Sequence, residues 1–315
     1  MSQLPPTPEW IRRGAEQVYA AVAGAANNGP PFFIGRNGTI ETEALYFYLT
    51  LRRGSDFQKP YPPRIMEQIQ RNAGIFPGTG AAVDAWAEEY LQHLGKLTGL
   101  AAGWYQPLAH IEGSILNTYA PAAAFRTPLR SLEPYYSESA LQWPRLLAGK
   151  RVAVVSSFTE SIKRQLASPR ADEIWRGGHA GLLPPGVEWS FVRTGYAPIT
   201  ALGHAGWPGG ITTWEDAADY VVGGVLTSGA EIALIGCGGL GMIVAGRLRA
   251  AGVSAFVLGG AIQVLFGIKG ARWERHDVIS KFWNSAWVWP AEEEMPGGAS
   301  LIEGGCYWGR KQKLV

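Results

Sequence analysis

Residues 236–241, Gly236-Cys237-Gly238-Gly239-Leu240-Gly241, follow the spacing G-x-G-x-x-G. Missing side chains there let a backbone turn tightly and expose helix N-terminal N–H groups to an anion, so the chemistry on offer is the holding of a phosphate. Tight helix–strand packing without any ligand uses the same residues. A second polar stretch, Gly35-Arg36-Asn37-Gly38-Thr39 with Glu41 and Glu43, supplies a guanidinium, an amide, a hydroxyl and two carboxylates. This is denser than packing requires, although acids in a first helical turn are also favoured by the helix dipole alone. A third stretch, Ser156-Ser157-Phe158-Thr159-Glu160-Ser161, sets hydroxyls where a helix begins. Asp84 lies among Val83, Trp86 and Tyr90, where a carboxylate is costly unless it has work to do, and so is a candidate base. Its plainer reading is the polar side of a helix near its first turn.

Each stretch sits where a strand gives way to a helix. Glu231 to Ile235 reads as a strand, Met242 to Ala251 as a helix stopped by Gly252, and Ser254 to Leu258 as a second strand ending in Gly259-Gly260. Phe32-Phe33-Ile34 precedes the Arg36 loop, and a helix from about Glu41 buries Leu45, Tyr48 and Leu49. Arg151-Val152-Ala153-Val154-Val155 is aliphatic enough to be buried on both faces of a parallel sheet. Glu188 to Val192 is a further strand, and Thr213 to Val222 a helix capped by Thr212 or Thr213. Helices are also expected after Thr7-Pro8-Glu9, around Ile65 to Ile69, and from Ala81 to about Leu97, whereas 104–136 is too weakly periodic to assign. The fold class is therefore α/β: a Rossmann-like, doubly wound, mostly parallel sheet flanked by helices, with a helical N-terminal portion. One domain is expected over 1–315, with an N-terminal helix at 7–28, a first α/β and helical part at 32–150 and a Rossmann-like part at 151–308. In such sheets ligands sit beyond the carboxyl ends of the strands, which would gather loops 35–43, 156–161, 236–241 and 259–270 on one edge.

Composition excludes several classes. The 28 basic and 26 acidic residues leave a net charge of +2, with no basic field of the kind that drives nucleic-acid binding. Cys237 and Cys306, the two cysteines, make neither a disulfide framework nor a zinc spacing and suit a reducing, intracellular setting. The stretch MSQLPPTPEW lacks an apolar core, and no run approaches the roughly 20 apolar residues that span a bilayer. A cytoplasmic protein is expected. The five histidines show no metal or triad spacing, while 13 Trp and 41 Gly suit open clefts, carbohydrate sites among them, as well as cores.

Three pieces together resemble the glycosyltransferases of the GT-D fold, Rossmann-like enzymes that use nucleotide-activated sugars. They are Ile34-Gly35-Arg36-Asn37-Gly38-Thr39-Ile40-Glu41, Val154 through Ile162, and Leu234-Ile235-Gly236-Cys237-Gly238 with Leu258-Gly259-Gly260. Ile302-Glu303-Gly304-Gly305-Cys306-Tyr307-Trp308 also looks like the ending of uncharacterised relatives. In that family the first junction looks like Arg-x-Gly-Asp-x-Glu, whose acids handle a divalent cation and the donor. Arg36, Gly38 and Glu41 match; Thr39 stands in place of the Asp. A hydroxyl is a much poorer ligand for Mn or Mg than a carboxylate, so no metal residue is assigned.

The resemblance implies transfer of a sugar from a nucleotide-sugar donor, a UDP-sugar being the first choice, to a hydroxyl of a glycan acceptor. It places Arg36, Asn37, Gly38, Thr39, Ser157, Phe158, Thr159, Ser161, Gly236, Cys237, Gly238, Gly239, Gly259 and Gly260 around the donor. Without metal, the leaving diphosphate needs Arg36 together with Lys269 or Arg272. Asp84 and Glu41 are the carboxylates expected to serve catalysis, with Asp84 as base. On this reading Gly238→Val abolishes nucleotide binding without unfolding the protein. Two alternatives stand beside it: an NAD-dependent oxidoreductase, opposed by the lack of an acid after Leu258, and a non-catalytic nucleotide- or glycan-binding relative, suggested by Thr39.

Overall fold

The aliphatic runs become strands because their alternate residues enter two different cores. Ala153 and Val155, Ala233 and Ile235, and Ala255 and Val257 face one apolar cluster, whereas Val152 and Val154, Ile232 and Leu234, and Phe256 and Leu258 face another. A side-chain period of two then leaves neither face of the sheet for water, and helices must cover both. The computed structural model describes residues 8–54, 59–102 and 108–309. Thr7, residues 104–107 of the aromatic segment and the basic tail at 310–315 lie outside the described residues.

The strands are β1 (Phe33–Arg36), β2 (Gly99–Ala102), β3 (Phe125–Pro128), β4 (Arg151–Ser156), β5 (Glu188–Arg193), β6 (Ile232–Gly236) and β7 (Ser254–Val257). They form one seven-stranded sheet in the order β3-β2-β1-β7-β6-β4-β5, and every neighbouring pair is parallel. The two parts anticipated at 32–150 and 151–308 thus share a single sheet. Helices α1 (Glu9–Ala26), α2 (Thr39–Phe47), α3 (Pro63–Arg71), α4 (Gly80–Leu94), α5 (Ala109–Tyr119), α6 (Thr159–Ala167), α7 (Pro198–Ala201), α8 (Trp214–Thr227), α9 (Gly241–Ala250) and α10 (Ala261–Leu265) connect and flank the strands. Thr213, not Thr212, caps α8, its side chain accepting from Asp216 N at 3.1 Å. No helix among the described residues is long and apolar enough to cross a membrane.

Strand order sets where a ligand can enter. From β1 the chain leaves toward β2, away from its other neighbour β7, and from β4 it leaves toward β5, away from its other neighbour β6. Loops that diverge in this way open crevices at the carboxyl ends of the strands. The chain after α10 then runs back across that edge as short 3₁₀ turns, anchored by a third cluster that includes Tyr135, Trp175, Trp273 and Trp287.

Candidate functional site

A cleft of about 420 Å³ opens at the carboxyl edge of the sheet, within the size range of small-molecule sites. Its walls combine Arg36, Asn37, Gly38, Thr39 and Glu41 after β1, Ser157 and Phe158 after β4, Gly236, Cys237 and Gly238 after β6, and Gly259 and Gly260 after β7, with Arg272 beyond. Thirteen of the eighteen expected residues are therefore brought together; Thr159, Ser161, Gly239, Lys269 and Asp84 are not among the lining residues.

Arg36 ends β1 and turns into the cleft across Gly259, where a Cβ would stand 2.8 Å from Nη1. Gly259 has φ +55°, a left-handed value that suits glycine, so the backbone both turns there and leaves room for the guanidinium. Among the described residues the Arg36 guanidinium makes no hydrogen bond and no ion pair, although the charges of Glu41 and Glu133 act on it. Two residues on, Gly38 caps α2, and a Cβ there would lie 1.9 Å from Oε2 of Glu41. The Glu41 side chain can therefore fold back over the start of its own helix. Burial pushes its carboxyl above the usual carboxylate range; its own backbone N–H and Arg36 oppose this, and the nearby charge of Glu303 adds to it. A guanidinium free of hydrogen bonds among the described residues thus lies beside a carboxyl whose charged form burial disfavours.

Asn37 is buried, and its amide is engaged within the protein. Its Nδ2 donates to Thr42 Oγ1 and Glu112 Oε1, each at 2.7 Å, and its Oδ1 accepts from Tyr90 at 2.7 Å. This network ties the β1–α2 junction to α4 and α5.

The glycine turn after β6 is occupied differently from its expected role. Gly239 N donates to Ala73 O at 2.8 Å, and a Cβ on Gly238, at φ +55°, would meet the same oxygen at 2.8 Å. Trp86 Nε1 donates to Gly239 O at 2.9 Å. The glycines admit the chain after α3 into close contact, and one N–H that would have met a phosphate already has a carbonyl. Cys237 borders the cleft, but burial raises its thiol to about 12, so it stays protonated and is no nucleophile at neutral pH.

The start of α6 also has an internal carboxyl, which burial pushes upward and hydrogen bonds from Ser161 and the Glu160 N–H pull down. Glu294, fully buried, accepts from Glu160 N at 2.7 Å and Ser161 N at 3.1 Å, and Ser161 Oγ donates to it as well. Ser161 accepts in turn from Ala291 N at 2.8 Å. Neither Ser157 nor Thr159 caps the helix: Ser157 Oγ accepts from Tyr196 at 2.8 Å on the cleft wall, and Thr159 is buried with no partner for its hydroxyl. Lys269 lies with Nζ 5.6 Å from the Trp283 ring centre instead of in the cleft.

Asp84, expected as the base, is an ion-pair partner outside the residues that line the cleft. Its carboxylate accepts from Arg52 Nε at 2.6 and 2.9 Å, from Arg52 Nη2 at 2.6 Å and from Tyr61 at 2.8 Å. A π-helical turn over Tyr48–Arg52 carries Arg52 to it. Glu43 is similarly engaged by Arg64. Asp84→Asn is therefore expected to cost about 2–3 kcal/mol of stability, somewhat below the loss for a fully buried broken pair, with turnover unchanged. A hundredfold fall in turnover at an unaltered melting temperature would restore Asp84 as the base.

The cleft has members that the sequence reading left unassigned. Gln263 Nε2 donates to Lys269 O and Tyr307 O, both at 2.8 Å, which fixes the amide and leaves buried Oε1 without a partner. Trp207 Nε1 is likewise buried and unpartnered, and both residues line the cleft. Tyr307 and Glu303 close it from the C-terminal side. The double glycine after Glu303 was the visible signal for that closure; nothing local marks Gln263. The carboxylates of the lining are Glu41 and Glu303, Thr39 stands in place of an acid, and no group of three or more candidate metal ligands occurs among the described residues.

No family model, curated protein or solved structure matches this chain.

Proposed function

We propose that the cleft binds a nucleotide-activated sugar, a UDP-sugar being the first candidate, and that the protein transfers the sugar to a hydroxyl of a glycan acceptor. The observation that carries this reading is Arg36: a guanidinium with no hydrogen bond or ion pair among the described residues, at the end of β1 before α2, facing Gly259-Gly260 and next to the half-buried Glu41. A leaving diphosphate needs a fixed cation and N–H groups in a site that excludes bulk water. Arg36 and the first turn of α2 supply these, and Arg272 adds a second cation across the cleft. Glu41, folded over the same helix end, contacts a hydroxyl of the donor sugar. Gln263 Oε1 and Trp207 Nε1 offer the donor one acceptor and one N–H.

The dinucleotide alternative is weaker. Gly259-Gly260 follow β7 where an acid would hold the ribose, and Ala73 already takes the Gly239 N–H. A cytoplasmic location belongs to the proposal and accords with two free cysteines.

Thermal denaturation with UDP-glucose, UDP-galactose, UDP-N-acetylglucosamine and NADH tests the reading. A bound ligand at 100 times its dissociation constant adds about 2.7 kcal/mol. Stabilisation by at least one UDP-sugar is expected; stabilisation by NADH alone would replace the proposal with the oxidoreductase.

A further inference from the structure

Glu303 has a backbone that its side chain disfavours. It sits at φ +45°, followed by Gly304 at +69° and Gly305 at +76°, three consecutive residues in the left-handed region, where a residue with a Cβ is strained. Several contacts hold it there. Its N–H donates to Asn72 Oδ1 at 3.1 Å, Tyr307 donates to its Oε1 at 3.2 Å, and Arg272 Nη1 lies 3.5 Å from its Oε2. Tyr307 and Arg272 also pack as ring and cation, 5.0 Å apart. The backbone is therefore held by Asn72, just past α3, and the carboxylate is oriented by Arg272 and Tyr307, while about a third of the side chain remains accessible.

The position is a boundary. Glu303 and Tyr307 line the cleft, whereas Gly304, Gly305 and Cys306 line a second, open groove of about 950 Å³ between the turns around 292–297 and 299–306. Arg272 borders both. A transferase that brings two substrates to one reacting centre needs a carboxylate where the two sites meet. Glu41 lies deeper, over the helix end beside Arg36, on the donor side.

We propose that the groove between 292 and 306 receives the acceptor, a polyhydroxylated sugar, and that Glu303 is the catalytic base that takes the proton from its attacking hydroxyl. This rests on the glycosyl-transfer reading. In the step, the acceptor O–H gives its proton to the Glu303 carboxylate and the oxygen's electron pair forms the bond to the anomeric carbon. The bond from that carbon to the phosphate oxygen breaks, and its electron pair leaves on the diphosphate beside Arg36 and Arg272. A single displacement inverts the anomeric carbon.

The test uses the full chain with the three UDP-sugars above and p-nitrophenyl glycosides as acceptors, reading UDP release and melting temperature. Glu303→Gln is expected to lower acceptor-dependent UDP release about 10²–10⁴-fold and to leave the donor-induced melting shift in place. Glu303→Gly, which relieves the left-handed strain, is expected to lose the same activity while melting no lower than the wild type. Acceptor-dependent release within threefold of wild type in Glu303→Gln, or a product with retained configuration, would overturn the assignment while leaving glycosyl transfer standing. A wild type that neither shifts with any UDP-sugar nor releases UDP removes the parent reading and this one with it.

Discussion

Gly238→Val is expected to lower stability by about 3 kcal/mol, the combined cost of a β-branched residue in the left-handed region and of a clash in packed structure. The backbone there has φ +55°, and the new Cβ would lie 2.8 Å from the Ala73 carbonyl oxygen, a backbone atom that cannot swing aside as a side chain would. The displaced Ala73 carbonyl would also lose its hydrogen bond from Gly239 N, 2.8 Å in the native fold. This reverses the expectation drawn from the glycine spacing, which had the variant folded but unable to bind nucleotide. Chemical denaturation decides between them: a Gly238→Val protein of wild-type stability with no affinity for a UDP-sugar would hand the turn back to the donor.

Arg36→Ala is expected to do the opposite, weakening donor binding by roughly 10- to 100-fold at a nearly unchanged melting temperature. The affinity loss corresponds to about 1.5–3 kcal/mol for a hydrogen bond to a charged group. Stability should hold because, among the described residues, no ion pair or hydrogen bond of Arg36 is lost. Arg36→Lys keeps the charge but not the planar fork and should fall between the two. Calorimetric titration of a stabilising UDP-sugar into both variants gives the answer; wild-type affinity in Arg36→Ala would take the diphosphate away from α2.

The fold was legible where period and length agreed. Strands β4 and β6 are nearly continuous aliphatic runs and β7 is short but wholly buried, and their boundaries fall within a residue or two of those expected. Strands β2 and β3 were missed: each has four residues, Gly-Leu-Ala-Ala and Phe-Arg-Thr-Pro, too short for a pattern, and they form through pairing with β1 and with each other. The site was legible as a set of loops but less so as a set of roles. A hydroxyl at a helix start looks the same whether it meets a ligand or, as at Ser161, a glutamate 133 residues away. Asp84 looked costly because its partner, Arg52, is 32 residues distant and reaches it only through a π turn. Glycines are ambiguous for a related reason: close approach of Ala73 and close approach of a phosphate make the same demand.

The bonds that complete the cleft join residues very far apart in the chain: Glu294 meets the start of α6 across 133 and 134 positions, and Glu303 meets Asn72 across 231. Contacts of such separation carry the largest loop-closure entropy and form late. Within the sheet, β1 meets β7 across a similar separation, Phe33 opposite Ala255, whereas β1–β3 and β4–β7 each close over shorter loops. Ligand affinity should therefore be the last property acquired during refolding, appearing after secondary structure and the bulk of the burial. A kinetic intermediate with β4–β7 formed and an unmade cleft would expose the N-terminus of α6 without its carboxylate, and an added anion would compete with Glu294 for it during that interval.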